Sequence, residues 1–176
     1  MPVIQESIVE DLLTFHFPAG AMSTKYDGWS HYRNQFNGAF GGTKAVDLIF
    51  VEPGTTWLIE VKDYRHHART KPTDLHEEIA HKVRDTLAGL ISAGLHANDA
   101  DEKRVGRQAV RMNRFRVVLH LEQRKTQSRL FPIAVNPANV LLKLRKTIKS
   151  IDPHPLVVHR TSLHPDMCWQ VVNTNI

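Results

Sequence analysis

The chain has 176 residues, 41% of them apolar and 23% charged, which is enough for one domain with a full core. Its net charge is +5, no apolar run reaches a membrane span, and the start, MPVIQESIVEDLL, lacks the basic segment and apolar core of a secretory signal. The single cysteine, Cys168, excludes an internal disulfide and a thiolate metal cluster and fits a reducing, cytoplasmic setting.

Residues 4–15 carry Ile4, Ile8, Leu12 and Phe15 at helical spacing, with Val9 and Leu13 widening the stripe, so a helix is expected there. His16-Phe17-Pro18-Ala19-Gly20 ends it. Residues 21–27 read as a strand, and 28–43, rich in Gly, Asn and aromatics, as mostly loop with a helical turn. Within that loop Trp29, Tyr32 and Phe36 recur at helical spacing. They either stack bases or pack the core of a short helix. Gly41-Gly42-Thr43-Lys44 has no phosphate-loop spacing.

Two short apolar runs follow, 45–51 and 56–62, separated by Glu52-Pro53-Gly54-Thr55. A charged side chain inside such a strand is costly unless something compensates it, yet Asp47, Glu60 and Lys62 all lie here. Pairing Val51 with Thr56 across a four-residue loop sets Asp47 opposite Glu60. Strand alternation then puts Asp47, Glu60 and Lys62 on one face. Both faces also carry apolar residues, so the sheet is expected to be covered on both sides in an α/β sandwich. Two carboxylates and an ammonium facing one cleft suit a hard metal acting on a phosphate.

After a polar link, a helix is expected over 75–96 from Ile79, Val83, Leu87, Leu90 and Ile91, with Asp74 and Glu77 as a capping box. On its polar side, Lys82 either reaches a phosphate or is solvated. A break at 98–101 precedes a short helix over 102–112, and FRVVLHL at 115–121 alternates as a strand. Asn136-Pro137 starts a helix through about 150. Residues 156–160 and 168–172 read as closing strands. The eleven histidines show no zinc-site spacing.

The order helix, strand, strand, strand, helix, strand, with Asp47 followed by Glu60-Val61-Lys62, resembles the PD-(D/E)XK nuclease superfamily over roughly residues 4–121. Val46 stands where the eponymous Pro would be. The resemblance implies a restriction-endonuclease-like αβββαβ core, with a mixed central sheet, helices on both faces and a C-terminal helix and strands over 122–176, all in one domain. It implies Mg²⁺, with Mn²⁺ as substitute, held by Asp47, Glu60 and the Val61 carbonyl. Lys62 would orient the attacking water, and an acid on the first helix would complete the site, Glu6 before Glu10.

Charge is unevenly spread. Residues 1–101 carry 9 Lys/Arg and 14 Asp/Glu, whereas residues 102–150 carry 13 Lys/Arg and 2 Asp/Glu. Arg104, Arg107 and Arg111 share one helical face, and Lys143 and Lys146 line the later helix. These are expected to track a phosphate backbone. Together the features lead to the expectation of a metal-dependent endonuclease in defence or repair, with protein partners there. DNA is favoured over RNA by family habit, and a dimer is implied where both strands are cut in concert. The alternative is a catalytically inactive nuclease-fold subunit that binds nucleic acid in a larger complex.

Overall fold

The computed structural model describes residues 3–67, 69–124 and 135–174. Ser7–Glu10 (β1) and Leu13–His16 (β2) pair as a hairpin, and Gln170–Asn173 (β8) adds to the free side of β2. The central sheet is built from Met22–Lys25 (β3), Leu48–Glu52 (β4), Thr55–Asp63 (β5), Arg114–Glu122 (β6) and Leu156–Val158 (β7), in that spatial order. β3, β4 and β5 run antiparallel; β5, β6 and β7 run parallel. Three α-helices accompany them: Leu75–His96 (α1), Ala100–Val110 (α2) and Pro137–Thr147 (α3). The molecule is therefore mixed α/β with a five-stranded mixed sheet.

Strand alternation divides the core in two. Ile49, Val51, Leu58, Val117 and Leu119 point to the three helices and the Tyr26–Phe36 segment. Leu48, Phe50, Trp57, Ile59 and Val118 point to the small sheet, meeting Ile8, Phe15, Trp169 and Val171. Helices thus cover one face only. The expectation of helices on both faces fails because the second cover is assembled from the two ends of the chain.

The expected helix at 4–15 is replaced by the β1–β2 hairpin. Leu13, Phe15 and Phe17 are buried while His16 is exposed, a period of two that this stretch carries alongside its helical stripe. Asp11 takes φ 51° in the two-residue turn between Glu10 and Leu13. Trp29, Tyr32 and Phe36 are buried, so they pack the core instead of stacking bases. They sit around a π-helical turn, Tyr32–Phe36.

The α1 boundaries match its periodicity, but the capping box does not form. Asp74 makes no side-chain bond to the helix and pairs with Lys143 Nζ at 2.8 Å instead. α2 and α3 are capped by Asp99 and Asn136, each accepting two backbone amides. α1 and α2 touch backbone to backbone at Gly94 and Gly106. A Cβ built on Gly106 would lie 2.8 Å from both Gly94 N and Leu90 O. Among the described residues no helix is long and apolar enough to cross a membrane.

Candidate functional site

β4 and β5 are joined with Val51 opposite Thr56 and Leu48 opposite Ile59. One step further sets Asp47 against Glu60, on the face that packs against α1. β5 has neighbours on both sides, so Glu60 lies at the centre of the sheet with no exposed surface, and Asp47 is 8% exposed. Asp47 Oδ2 accepts the Val61 amide at 2.7 Å. That bond fixes the carboxylate beside the strand that carries Glu60.

Two ammoniums enter the same space. Lys62, two residues along β5, places Nζ 2.6 Å from Glu60 Oε1. Lys82, from α1, places Nζ 2.6 Å from the same oxygen and 3.3 Å from Asp47 Oδ1. Glu60 Oε1 thus serves two cations, while Oε2 is buried without a partner. Burial, and then the Asp47 charge, pushes the Glu60 carboxyl up to about 7 in spite of the two ammoniums. Burial works against the charged form of Lys62 and Lys82 too. The Glu60 charge outweighs it, helped by Asp47 and by hydrogen bonds to Glu60, and both stay above the ordinary lysine value.

A second buried acid, Glu78 on α1, gathers the cations of the loop after β5. Lys71 Nζ lies 2.8 Å from Oε1, Arg69 Nη1 2.9 Å from Oε2, and Lys62 Nζ 3.5 Å from Oε1. Burial would raise this carboxyl. The bonds from Lys71 and Arg69, with the charge of Lys62, hold it down at about 2. On the other flank Glu10 pairs with Lys25 at 2.6 Å, and burial raises the carboxyls of both Glu10 and Asp27, whose fields reach Asp47.

Asp47, Glu60 and Lys62 therefore converge as their spacing requires, and Lys82 joins them. Glu6 does not. It is exposed and accepts the Gly20 amide at 2.8 Å, bracing the turn after β2. Glu10, on β1, is the first-segment acid whose field reaches Asp47. Of the basic residues, Arg107 donates to the Gly94 carbonyl at 2.7 Å and so ties α2 to α1. Arg104 pairs with Asp101 and Lys143 with Asp74, both at the surface, and Arg111 and Lys146 are exposed. Residues 125–134, part of the basic stretch, lie outside the described residues. The role of Glu78 escapes a reading of sequence alone: a helix acid near Lys and Arg looks solvated until α1 is laid across β5.

As a cation site, the pair Asp47 and Glu60 has the right chemistry for Mg²⁺: hard carboxylate oxygens, one of them orphaned. The Lys82 ammonium bridges the two carboxylates, where a bridging cation would sit. Among the described residues no three His, Cys, Asp or Glu side chains converge as a ligand set.

No family model and no solved structure matches the chain. It is 36% identical, over an alignment of 165 residues covering 77% of this chain, to a cysteine–tRNA ligase of Neisseria meningitidis serogroup A / serotype 4A (strain DSM 15465 / Z2491). The match covers 24% of that ligase, so the chain spans about a quarter of the length of the relative. This similarity overturns the nuclease-superfamily resemblance, and with it the expected endonuclease activity, hydrolase class and place in defence or repair. One structural feature runs the same way: the first helix of that pattern is a β-hairpin here.

Proposed function

We propose that this chain is an RNA-contacting module of the tRNA-aminoacylation machinery. The observation that carries the reading is the segment shared with a cysteine–tRNA ligase, about a quarter of that protein's length. RNA accordingly takes the place of DNA as the expected partner. The charge layout supports it: exposed cations of residues 102–150 lie on α2 and α3 at Arg104 and Lys146 and just past their ends at Arg111 and Lys149. A surface of that kind binds a polyanion through counterion release and need not read its sequence.

The test is fluorescence anisotropy of a labelled tRNA transcript against the pure chain between 50 and 200 mM salt, a span over which roughly 6–10 phosphate contacts lose about 10³–10⁵ in affinity. Affinity should fall steeply with salt. Replacing Lys146 and Lys149 by Ala should flatten the slope by roughly one unit per lost contact. Absence of tRNA binding at low salt would remove the reading.

In the same proposal Asp47 and Glu60, with the Val61 carbonyl, would hold Mg²⁺ in place of the Lys82 ammonium, and the ion would supply positive charge for an RNA phosphate. Lys82→Ala removes the competing cation. By electron paramagnetic resonance of added Mn²⁺, this variant should bind the ion at least tenfold more tightly than the parent. Adding Asp47→Ala should abolish the gain. Equal Mn²⁺ binding in parent and Lys82→Ala protein would end the metal proposal.

A further inference from the structure

The loop between β5 and α1 builds a small cavity of about 170 Å³ lined by Lys62, Tyr64, Arg69, Thr70, Lys71 and Glu78. It opens where β5, a strand paired in parallel with β6, delivers the chain to its carboxyl end. In open α/β sheets that edge is where ligands bind. The N-terminus of the 22-residue α1 lies close by, since Glu78 is in its first turns.

The cavity is organised from the inside. Glu78 is 1% exposed and holds Arg69 and Lys71 at 2.9 and 2.8 Å. Arg69 also donates to Tyr64 Oη at 3.1 Å and to the Thr73 carbonyl, so its guanidinium is locked at the wall. Its side chain is 12% exposed and that of Lys62 is 17%, whereas that of Lys71 is 61% exposed and stands at the mouth. Counting the joined clusters, Lys62, Arg69, Lys71 and Lys82 face Asp47, Glu60 and Glu78. Four cations meet three carboxylates. Positive charge is left over, and it is left over where a cavity, a hydroxyl and two strong donors converge.

We propose that this cavity is a phosphate pocket, in which Arg69, Lys71 and Lys62 receive one phosphate group of an RNA strand, with Thr70 as an added hydroxyl donor. Arg69 supplies a fixed planar fork and Lys71 a mobile point charge that moves from Glu78 onto the ligand. Glu78 is a positioning residue: it preorganises the cations while the pocket is empty. The occupant rests on the RNA-contacting reading above, but the oxyanion chemistry does not, and the two are separable by experiment.

The first arm titrates inorganic phosphate into the ¹⁵N-labelled full chain. Saturable shifts of the Thr70 and Lys71 amides are expected, reduced at least fivefold in apparent affinity by Lys71→Ala. Lys71 is largely exposed, so that variant is expected to fold. The second arm measures binding of single-stranded oligoribonucleotides with a 5′-phosphate or a 5′-hydroxyl. A fivefold or larger preference for the phosphorylated end, lost in Lys71→Ala, assigns a terminal phosphate. Equal binding of the two ends, weakened by Lys71→Ala with a salt slope lower by about one, assigns a backbone phosphate. Phosphate shifts without RNA binding would uphold the pocket and overturn the RNA reading. Absence of saturable shifts at Thr70 and Lys71, or an unaffected Lys71→Ala titration, would overturn the pocket.

Discussion

Raising the pH through the window from 4.5 to about 7 is expected to weaken the fold, and Glu60→Gln is expected to remove that loss. Glu60 is protonated more readily folded than unfolded, because burial and the neighbouring Asp47 charge oppose its ionised form. A raised carboxyl contributes stability that is complete below its unfolded value, here 4.5, and gone once pH passes its folded value of about 7. The size is about 3 kcal/mol, taking roughly 1.4 kcal/mol per unit. Gln imitates the protonated acid, so the variant should match the parent near pH 4.5 and exceed it above pH 7. Glu10 and Asp27 shift in the same direction, while Glu78 and Glu122 are held at about 2 and lose stability only as the solution turns strongly acid. Urea denaturation of both proteins across this range separates Glu60 from the rest. Parallel profiles would mean the carboxyl stays ionised throughout, its burial offset by Lys62 and Lys82.

Gly106→Ala is expected to cost about 1–3 kcal/mol net, a fall of roughly 2–12 °C in Tm for a chain of this size. On propensity alone the change would add about 1 kcal/mol to α2. Sterics reverse the sign. The new Cβ would sit 2.8 Å from Gly94 N and Leu90 O, and both are backbone atoms of α1 that cannot swing aside. Gly94→Ala should cost less, since its nearest contacts are at 3.2 Å and include the flexible Arg107 side chain. Thermal unfolding followed by circular dichroism gives both numbers. A Gly106→Ala protein as stable as the parent would mean that α1 and α2 can separate freely.

The parts of this architecture that could be read from residues are those decided locally. A four-residue turn set the β4–β5 register, and with it the meeting of Asp47 and Glu60. Phe115, Val117, Leu119 and Leu121 at every second position announce β6, and the Ile79–Val83–Leu90 repeat announces α1. The helical reading of residues 4–15 fails because Leu13 and Phe15 belong to a helical stripe and to an extended period alike. What settles the choice is β8, some 160 residues away, which offers β2 a pairing partner. The site divides in the same way. Lys62 is on the strand and was visible, whereas Lys82 and Glu78 acquire their roles only through how α1 crosses β5. The expected first-segment acid failed for a related reason: once the helix is a hairpin, Glu6 falls at a turn and Glu10 on a strand.

The pairing of β2 with β8 closes the molecule into a ring. Leu13 faces Asn173 and His16 faces Gln170, so strands near the two ends of the chain share one ladder. Contacts of such sequence separation are slow to form, because closing so long a loop costs entropy before any contact rewards it. The seam is therefore expected to lock late in folding. Until it does, β2 shows a bare edge and the Phe50–Trp57–Trp169 layer lacks part of its cover. The same closure leaves β1 and β8 on either side of one central strand, two strand spacings apart. Both run antiparallel to β2 and so parallel to each other, which sets the start of the first strand and the end of the last at opposite ends of this small sheet.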